Sequence, residues 1–207
     1  MIAVVDYGMG NLRSVQKGFE SAGVNGVSIT SDPSAIAAAD GIVLPGVGAF
    51  RDAMAHLDAS GIKEALVAAI ASGTPLLGIC LGMQMLAETG FEDGEWPGLG
   101  VIPGTCVRLP DVVKVPHMGW NTVAYPQPSP LFDGIPAGSA FYFVHSYRLN
   151  PAQDSCIIGK TEHGLTFASA IQASPNVFAV QFHPEKSSDA GLRLLANFGR
   201  IVQEKMQ

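Results

Sequence analysis

A single cysteine stands between two glycines in the segment GICLG, residues 78–82, directly after the apolar pair Leu76-Leu77. This G-x-C-x-G pattern is the thiol version of the nucleophile elbow G-x-S-x-G, a sharp turn from a strand into a helix. Glycines flank the nucleophile because larger side chains would collide in such a turn. The unpaired N–H groups at the start of the following helix favour the thiolate form. The pattern predicts that Cys80 is a nucleophile; the alternative is a buried cysteine that acts only as a small apolar side chain.

A thiolate nucleophile needs a base and a group that orients the base. Among the five histidines, only His183 lies in a suggestive context, the segment QFHPE that follows the apolar run NVFAV. Residues i and i+2 share a face in extended backbone, and Pro184 stiffens the turn between them. Glu185 can therefore hold one imidazole nitrogen of His183 while the other faces Cys80. The alternative interpretation is an ordinary H-P-E turn at the surface.

An acyl-transfer site also needs N–H donors for the oxyanion that develops on the attacked carbonyl. The N–H of Leu81, directly after the nucleophile, is one candidate. The turn PGVG, residues 45–48, ends another predicted strand and could supply the second donor. Its glycines allow a close backbone approach and also allow a peptide to flip. The alternative is an ordinary turn between a strand and a helix.

The elements that must position these residues alternate between strands and helices in the first half of the chain. Apolar runs predict strands at IAVVDYG, VSIT, GIVLPGVG and TPLLGIC. Helical periodicity follows each run, with an N-cap at Asp32, a break at Ser60-Gly61 and a helix over GMQMLAET after the last strand. This order predicts a mostly parallel, buried central sheet with flanking helices. Parallel strands would bring Cys80 and His183 to the same C-terminal edge, where open α/β folds bind ligands.

The second half changes character. From Gly94 to Phe182 it is rich in Gly, Pro and short β-prone runs, which predict an antiparallel β addition to the same domain. A final helix presents the apolar residues Leu194, Phe198 and Ile201 to the sheet. We therefore expect residues 1–207 to form a single α/β domain.

Composition excludes several function classes. The chain has a formal net charge of −6 and no basic run, which argues against nucleic acid or an anionic membrane as a partner. Three widely spaced cysteines make a disulfide framework or a structural metal site a poor interpretation and fit a reducing, cytosolic compartment. The N-terminus, MIAVVDYG, is typical of a first strand and not of a signal peptide, and no apolar segment approaches transmembrane length. The glycines of DYGMGN do not complete G-x-G-x-x-G, because position 13 is Arg13, so a dinucleotide cofactor is not expected.

Three motifs together, GICLGMQ, FHPEKS and PGVGAF, resemble the class I (triad-type) glutamine amidotransferases. Within that class, the segments DYGMGNLRSV, PHMGWN (116–121) and YFVHSYR (142–148) are similar to the glutaminase subunits of imidazole glycerol phosphate synthase. The motifs occur in order from residue 6 to residue 187, so the resemblance covers nearly the whole chain.

This resemblance implies a heterodimer with a (β/α)₈-barrel cyclase of histidine biosynthesis and no cofactor. Cys80 would attack the side-chain amide of glutamine, and the ammonia would pass to the cyclase, which makes imidazole glycerol phosphate and an aminoimidazole carboxamide ribotide. The glutaminase would be nearly silent until the cyclase is bound and occupied by its ligand. Carried over by motif position, the residues that bind glutamine are Gly46, Gln84, Glu92, Ser146 and Tyr147. Val47 and Gly48 would complete the oxyanion hole, and the docking or gating residues would be Asn11, Trp120, Tyr142 and Lys186.

Three alternatives stay open at this point. The chain could be an amidotransferase subunit for anthranilate, aminodeoxychorismate or pyridoxal phosphate synthesis, although PHMGWN is not expected there. It could be a free-standing γ-glutamyl hydrolase, which would need no partner. It could also be an inactive binding module, but nothing in binding alone requires Cys80, His183 and Glu185 together.

Overall fold

The computed structural model describes residues 1–205, which form thirteen strands and six α-helices. The strands are β1 (Ile2–Val5), β2 (Val27–Thr30), β3 (Gly41–Gly46), β4 (Leu76–Cys80), β5 (Ala87–Gly90), β6 (Trp96–Pro97), β7 (Ile102–Arg108), β8 (His117–Thr122), β9 (Ala140–His145), β10 (Tyr147–Pro151), β11 (Ile157–Glu162), β12 (Thr166–Ser174) and β13 (Val177–Val180). The helices are α1 (Leu12–Ser21), α2 (Pro33–Ala37), α3 (Phe50–Ser60), α4 (Ile62–Ala71), α5 (Leu81–Met85) and α6 (Ser188–Lys205). Short 3₁₀ turns occupy Pro130–Phe132, Asp154–Cys156 and Pro184–Lys186.

A seven-stranded sheet forms the centre of the fold, in the order β11-β12-β13-β4-β3-β1-β2. The five strands from β13 to β2 are parallel, and β12 and β11 extend the sheet in antiparallel fashion. Strands β1, β3, β4 and β13 are buried along their whole length, which explains why they are continuously apolar. The prediction of a mostly parallel central sheet is confirmed.

Helices cover both faces of this sheet. On one face, α1 and α6 pack through Phe19, Phe198 and neighbouring apolar residues. On the other face, Ile36, Leu57 and Leu66 of α2, α3 and α4 belong to the second apolar cluster. The predicted N-cap is present, since the side chain of Asp32 accepts the N–H of Ser34. The break between α3 and α4 falls at Gly61, as predicted, with φ of 69°.

The second half adds β structure to the same sheet and beside it. Strands β8 and β9 form an antiparallel pair, and β10, β7, β5 and β6 form a four-stranded sheet. The antiparallel addition is thus confirmed, with one exception, because β5 pairs with β7 in parallel. No helix within residues 1–205 is both long and apolar enough to cross a membrane.

The predicted helix over GMQMLAET is confirmed for its first half, residues 82–85, and wrong for its second half. Helix α5 ends at Met85, and Ala87–Gly90 forms β5 instead. The carbonyl of Leu86 accepts the N–H groups of Val101 and Ile102, so it has left the helix. Strands β6 and β7 then bind both edges of β5. Pairing with distant strands therefore overrides the local helical pattern.

Candidate active site

The turn around Cys80 has the strained geometry that its flanking glycines predict. Cys80 has φ of 55° and ψ of −110°, a positive-φ conformation that side-chain-bearing residues rarely adopt. A Cβ on Gly82 would overlap the carbonyl oxygen of Leu44, and a Cβ on Gly78 would lie 3.0 Å from the carbonyl oxygen of Gly82. The backbone of β3 thus approaches α5 so closely that only glycine fits at position 82, and a Cβ at position 78 would be crowded by the backbone of α5.

Strands β4 and β13 are parallel neighbours, so His183 reaches the same edge of the sheet as Cys80. The Nδ1 atom of His183 lies 2.8 Å from Oε1 of Glu185, and both side chains are buried. The N–H of His183 donates to the carbonyl of Tyr142 on β9. The hydroxyl of Ser187 donates to the carbonyl of His183 and accepts the N–H of Tyr142. The strand ends thus bring the imidazole and the carboxylate together, and β9 and Ser187 fix the turn that carries them.

The charge state of His183 follows from its two neighbours. Burial by itself would lower the pKa of His183, but interactions with the Cys80 sulfur and the Glu185 carboxylate outweigh it and raise the pKa to about 9. Nδ1 is bound to Glu185, so Nε2 is the nitrogen left for the sulfur, and it has no hydrogen-bond partner among residues 1–205. A protonated His183 imidazole is therefore favoured at neutral pH.

A cavity of about 320 Å³ opens at this edge of the sheet. It is lined by Val47, Gly48, Cys80, Leu81, Gln84, Glu92, Pro116, Val144, His145, Ser146, Tyr147, His183 and Lys186. Most residues that the sequence motifs single out thus surround one space. Glu185 lies behind His183, and Gly46 lies below the cavity, where it pairs with Cys80 across β3 and β4. Within residues 1–205 there is no group of three or more His, Cys, Asp or Glu side chains arranged to hold a metal ion.

The PGVG turn is held at both ends by side chains. The buried hydroxyl of Tyr7 donates to the carbonyl of Pro45, 3.0 Å away. After the turn, the N–H of Phe50 at the start of α3 donates to Oε2 of Glu92, 2.6 Å away. Gly48 has φ of 92°, the region that favours glycine. Tyr7 was not singled out from the sequence, and Glu92 has this contact in addition to its place in the cavity wall.

Two glutamine side chains connect the cavity wall to Cys80. Nε2 of Gln84 donates to the carbonyl of Tyr147 at 2.8 Å and to Oε1 of Gln181 at 3.1 Å. Nε2 of Gln181 lies 3.8 Å from the sulfur of Cys80. Sequence reasoning gave Gln181 no role. Its position two residues before His183 could have indicated a role, because residues i and i+2 of a strand share a face.

A pair of buried histidines adjoins the same carbonyl. Nδ1 of His145 lies 2.8 Å from the carbonyl of Tyr147, and Nε2 of His145 lies 2.9 Å from Nδ1 of His117. Nε2 of His117 lies 3.1 Å from the side-chain nitrogen of Asn121. Burial lowers the pKa of His145 to about 3 and that of His117 to about 4. Both imidazoles are therefore neutral at pH 7, and His145 is a hydrogen-bonded structural residue in the cavity wall.

Large side chains are exposed beside the cavity mouth. Met118 is 62% exposed and Trp120 is 55% exposed, because alternate residues of β8 point outward. Trp120 packs edge-on against Tyr142, and the Lys186 ammonium lies 6.0 Å from the centre of the Tyr142 ring. We call Met118, Trp120, Tyr142 and Lys186 the rim patch. Asn11, at the N-cap position of α1, makes no side-chain cap hydrogen bond.

Comparison with known proteins supports the same interpretation as the geometry. The family model "Glutamine amidotransferase class-I" matches residues 3–202. The chain belongs to the class-I glutamine amidotransferases. This amidotransferase is 54% identical over 202 residues to the imidazole glycerol phosphate synthase subunit HisH of Moorella thermoacetica, covering 98% of this chain and 95% of the relative. It is 50% identical over 206 residues to subunit HisH of Syntrophotalea carbinolica, covering 96% and 99%.

A solved structure, described as a glutamine amidotransferase, has the same fold. It superimposes with a TM-score of 0.77 at 17% identity and covers 98% of this amidotransferase and 100% of the solved chain. At that level of identity the likeness supports the fold alone. The identity to the HisH subunits over almost the full length is what distinguishes this amidotransferase from other members of its class.

Proposed function

We propose that this chain is the glutaminase subunit of an imidazole glycerol phosphate synthase of histidine biosynthesis, built as one amidotransferase domain over residues 1–207. Its catalytic residues are Cys80, His183 and Glu185. One observation carries the assignment of these residues: Nδ1 of His183 is bonded to Oε1 of Glu185 at 2.8 Å, and His183, whose Nε2 has no partner among residues 1–205, lines the same cavity as Cys80. The identity to HisH subunits supports the choice among class I members.

The proposed reaction uses this pair as a thiolate and an imidazolium. The Cys80 thiolate attacks the amide carbon of the glutamine side chain and forms a tetrahedral intermediate. The His183 imidazolium donates its Nε2 proton to the departing ammonia, which leaves a glutamyl thioester on Cys80. Neutral His183 then takes a proton from water, which attacks the thioester and releases glutamate. Glu185 keeps the imidazole oriented and favours its protonated form in both steps.

The oxyanion of the intermediate needs two donors on one side of the cavity. We assign the N–H of Leu81 and a peptide N–H of the turn at Val47 and Gly48, since all three residues line the cavity next to Cys80. Hydrogen bonds at both ends limit the movement of this turn to its central residues, because Tyr7 holds Pro45 and Glu92 holds Phe50. Rotation of the peptide at Val47 and Gly48 would therefore point the second N–H donor toward the oxyanion or away from it.

Glutamine itself would be held by the opposite wall of the cavity. We assign this role to Gln84, Glu92, Ser146 and Tyr147, with Gly46 shaping the floor. Nε2 of Gln84 already makes two hydrogen bonds inside the protein, so its oxygen is the atom left to accept an N–H of the substrate.

Replacing Glu185 with glutamine tests the proposed role of the imidazolium. The carboxylate raises the pKa of His183, so its loss lowers that pKa and removes the proton donor at a lower pH. We expect Glu185→Gln to move the alkaline limb of the kcat profile for glutamine hydrolysis down by about one pH unit. The exposed carboxylate of Glu162, changed to glutamine, provides the control and should leave the profile unchanged. An alkaline limb at the same pH in both variants would contradict the role given to Glu185.

The partner would be the cyclase subunit, and the rim patch with Asn11 would be its docking surface. Exposed aromatic and methionine side chains are enriched in the centres of protein interfaces, and this patch adjoins the cavity through Lys186. Ammonia released at Cys80 would then leave beneath the bound cyclase.

Activity with and without the cyclase tests this assignment. If the resting turn at Val47 withholds one oxyanion donor, adding cyclase with its nucleotide ligand should raise glutamine hydrolysis by about 10²–10³-fold, the usual effect of one such donor. Trp120→Ala should reduce this stimulation, whereas Val67→Ala, which truncates an exposed apolar side chain on α4, should not. Equal hydrolysis by the isolated chain and the pair would argue for a free-standing hydrolase.

A further inference from the structure

Gln181 is a completely buried polar side chain that the proposed mechanism does not use. It follows β13, its exposed fraction is 0%, and its backbone N–H donates to the carbonyl of Ser169 on β12. Its side chain is directed toward the end of β4, where its Nε2 lies 3.8 Å from the Cys80 sulfur. Gln181 does not line the cavity, so the proposed mechanism gives it no contact with the substrate glutamine.

The orientation of this amide is determined by its neighbour. The carbonyl of Tyr147 can only accept, so the Gln84 atom that contacts it must be the nitrogen. The second N–H of the same nitrogen then meets Gln181, which must present its oxygen to Gln84. The nitrogen of Gln181 is thereby left facing the sulfur. The reversed amide would set an oxygen against the sulfur that the proposed mechanism uses as a thiolate, and a nitrogen against the nitrogen of Gln84.

The histidine pair strengthens this orientation. The carbonyl of Tyr147 accepts one hydrogen bond from Gln84 and one from Nδ1 of His145, so both of its lone pairs are occupied. With Nδ1 of His145 a donor, its Nε2 must accept from Nδ1 of His117. Hydrogen bonds therefore connect His117 on β8 to Gln181 through His145, the carbonyl of Tyr147 and Gln84. The donor and the acceptor of each bond are determined.

We propose that Gln181 is a positioning residue for the nucleophile: its amide N–H donates to the Cys80 sulfur, holds it toward His183 and favours its ionised form. The carbonyl of Val144 lies 3.9 Å from the sulfur on another side and can only accept, so it favours the protonated thiol. The Nε2 group of Gln181 opposes this effect, because it donates a hydrogen to the sulfur. Its orientation is determined by the hydrogen bond from Gln84 to the Gln181 oxygen. The inference rests on the proposed role of Cys80 as the nucleophile.

Two substitutions of Gln181 separate this role from a structural one. Gln181→Met removes the donor at similar length, and Gln181→Glu keeps the shape but places an acceptor against the sulfur. The first measurement is the rate at which iodoacetamide alkylates Cys80 at pH 7, followed by mass spectrometry of the peptide that contains it. The second is kcat and KM for glutamine in the presence of the cyclase. Gln172→Met, a half-buried glutamine on β12 that accepts from Ser129, is the matched control.

We expect Gln181→Met to lower both the alkylation rate and kcat about 10- to 100-fold, as the loss of a hydrogen bond to a charged group implies. KM should stay within about twofold, since Gln181 does not reach the cavity. Gln181→Glu should lower both rates further, and Gln172→Met should lower neither. A folded Gln181→Met variant with unchanged alkylation and kcat would overturn the inference.

Two further variants keep the test decisive. If Gln181→Met does not fold, Gln84→Met releases the Gln181 amide from the other side and should also slow alkylation, a reaction that needs no bound glutamine. Unchanged alkylation in that variant would overturn the inference. Cys80→Ala distinguishes the two levels of the proposal: turnover that survives it refutes the proposed function, whereas an inactive Cys80→Ala beside a fully active Gln181→Met refutes only the role of Gln181.

Discussion

Cys80→Ala should reduce glutamine hydrolysis by about 10⁴-fold or more while leaving the fold intact. Loss of a nucleophile from a catalytic triad removes the covalent route altogether, and the remaining groups cannot replace it. Cys80 is the only cysteine that lines the cavity within residues 1–205. The measurement is glutamate release in the presence of the cyclase, together with thermal unfolding of both proteins.

A second cysteine provides the control for this experiment. Cys156 is half-buried in the 3₁₀ turn Asp154–Cys156, outside the cavity, so Cys156→Ala should keep the activity of the unchanged protein. If Cys80→Ala turned glutamine over at a comparable rate, the arrangement of Cys80, His183 and Glu185 would have no catalytic role. A wild-type protein that shows no turnover even with cyclase would support the binding-module alternative.

Gly82→Ala should lower the free energy of unfolding by about 3 kcal/mol or more, or prevent folding. The added Cβ would overlap the carbonyl oxygen of Leu44 and lie 2.9 Å from its carbon, and backbone atoms cannot move aside as a flexible side chain can. Because α5 begins at this contact, the helix would be pushed away from β3. Urea unfolding monitored by circular dichroism measures the loss.

Gly26→Ala is the matched control, because it adds the same methyl group without a collision. Gly26 has φ of 73°, and a Cβ there would meet no atom within 4 Å. We expect a cost of about 1–2 kcal/mol from the left-handed backbone alone. Equal losses in the two variants would mean that the close approach of α5 to β3 does not explain the glycine at position 82.

Local sequence patterns were sufficient to predict the strands and the turn that carry Cys80. Continuous apolar runs identified β1, β3 and β4 because strands buried on both faces have no polar side. The glycines around Cys80 could be explained from the sequence, since they are required by the turn itself. That Cys80 and His183 share one edge also followed, but only on the condition that β4 and β13 run parallel.

Contacts between segments that are far apart in the sequence could not be predicted from local sequence patterns. The spacing of residues does not reveal that β13, which comes about 100 residues later, lies directly beside β4. The same holds for β5, whose sequence AETG favours a helix until β6 and β7 bind its edges. His117 and His145 meet because the register of β8 and β9 places them opposite each other. Tyr7 and Gln181 were missed for a related reason, since their roles depend on partners from other strands.

The backbone at Cys80 has an evolutionary consequence. A residue with a side chain held at φ of 55° costs on the order of 1–3 kcal/mol, and glycine would relieve most of that cost. A lineage that had abandoned the thiol would gain stability by mutating this codon to glycine, so drift should erase the cysteine soon after selection on it ends. A cysteine in a conformation that penalises it is what selection for a thiol at this position would maintain.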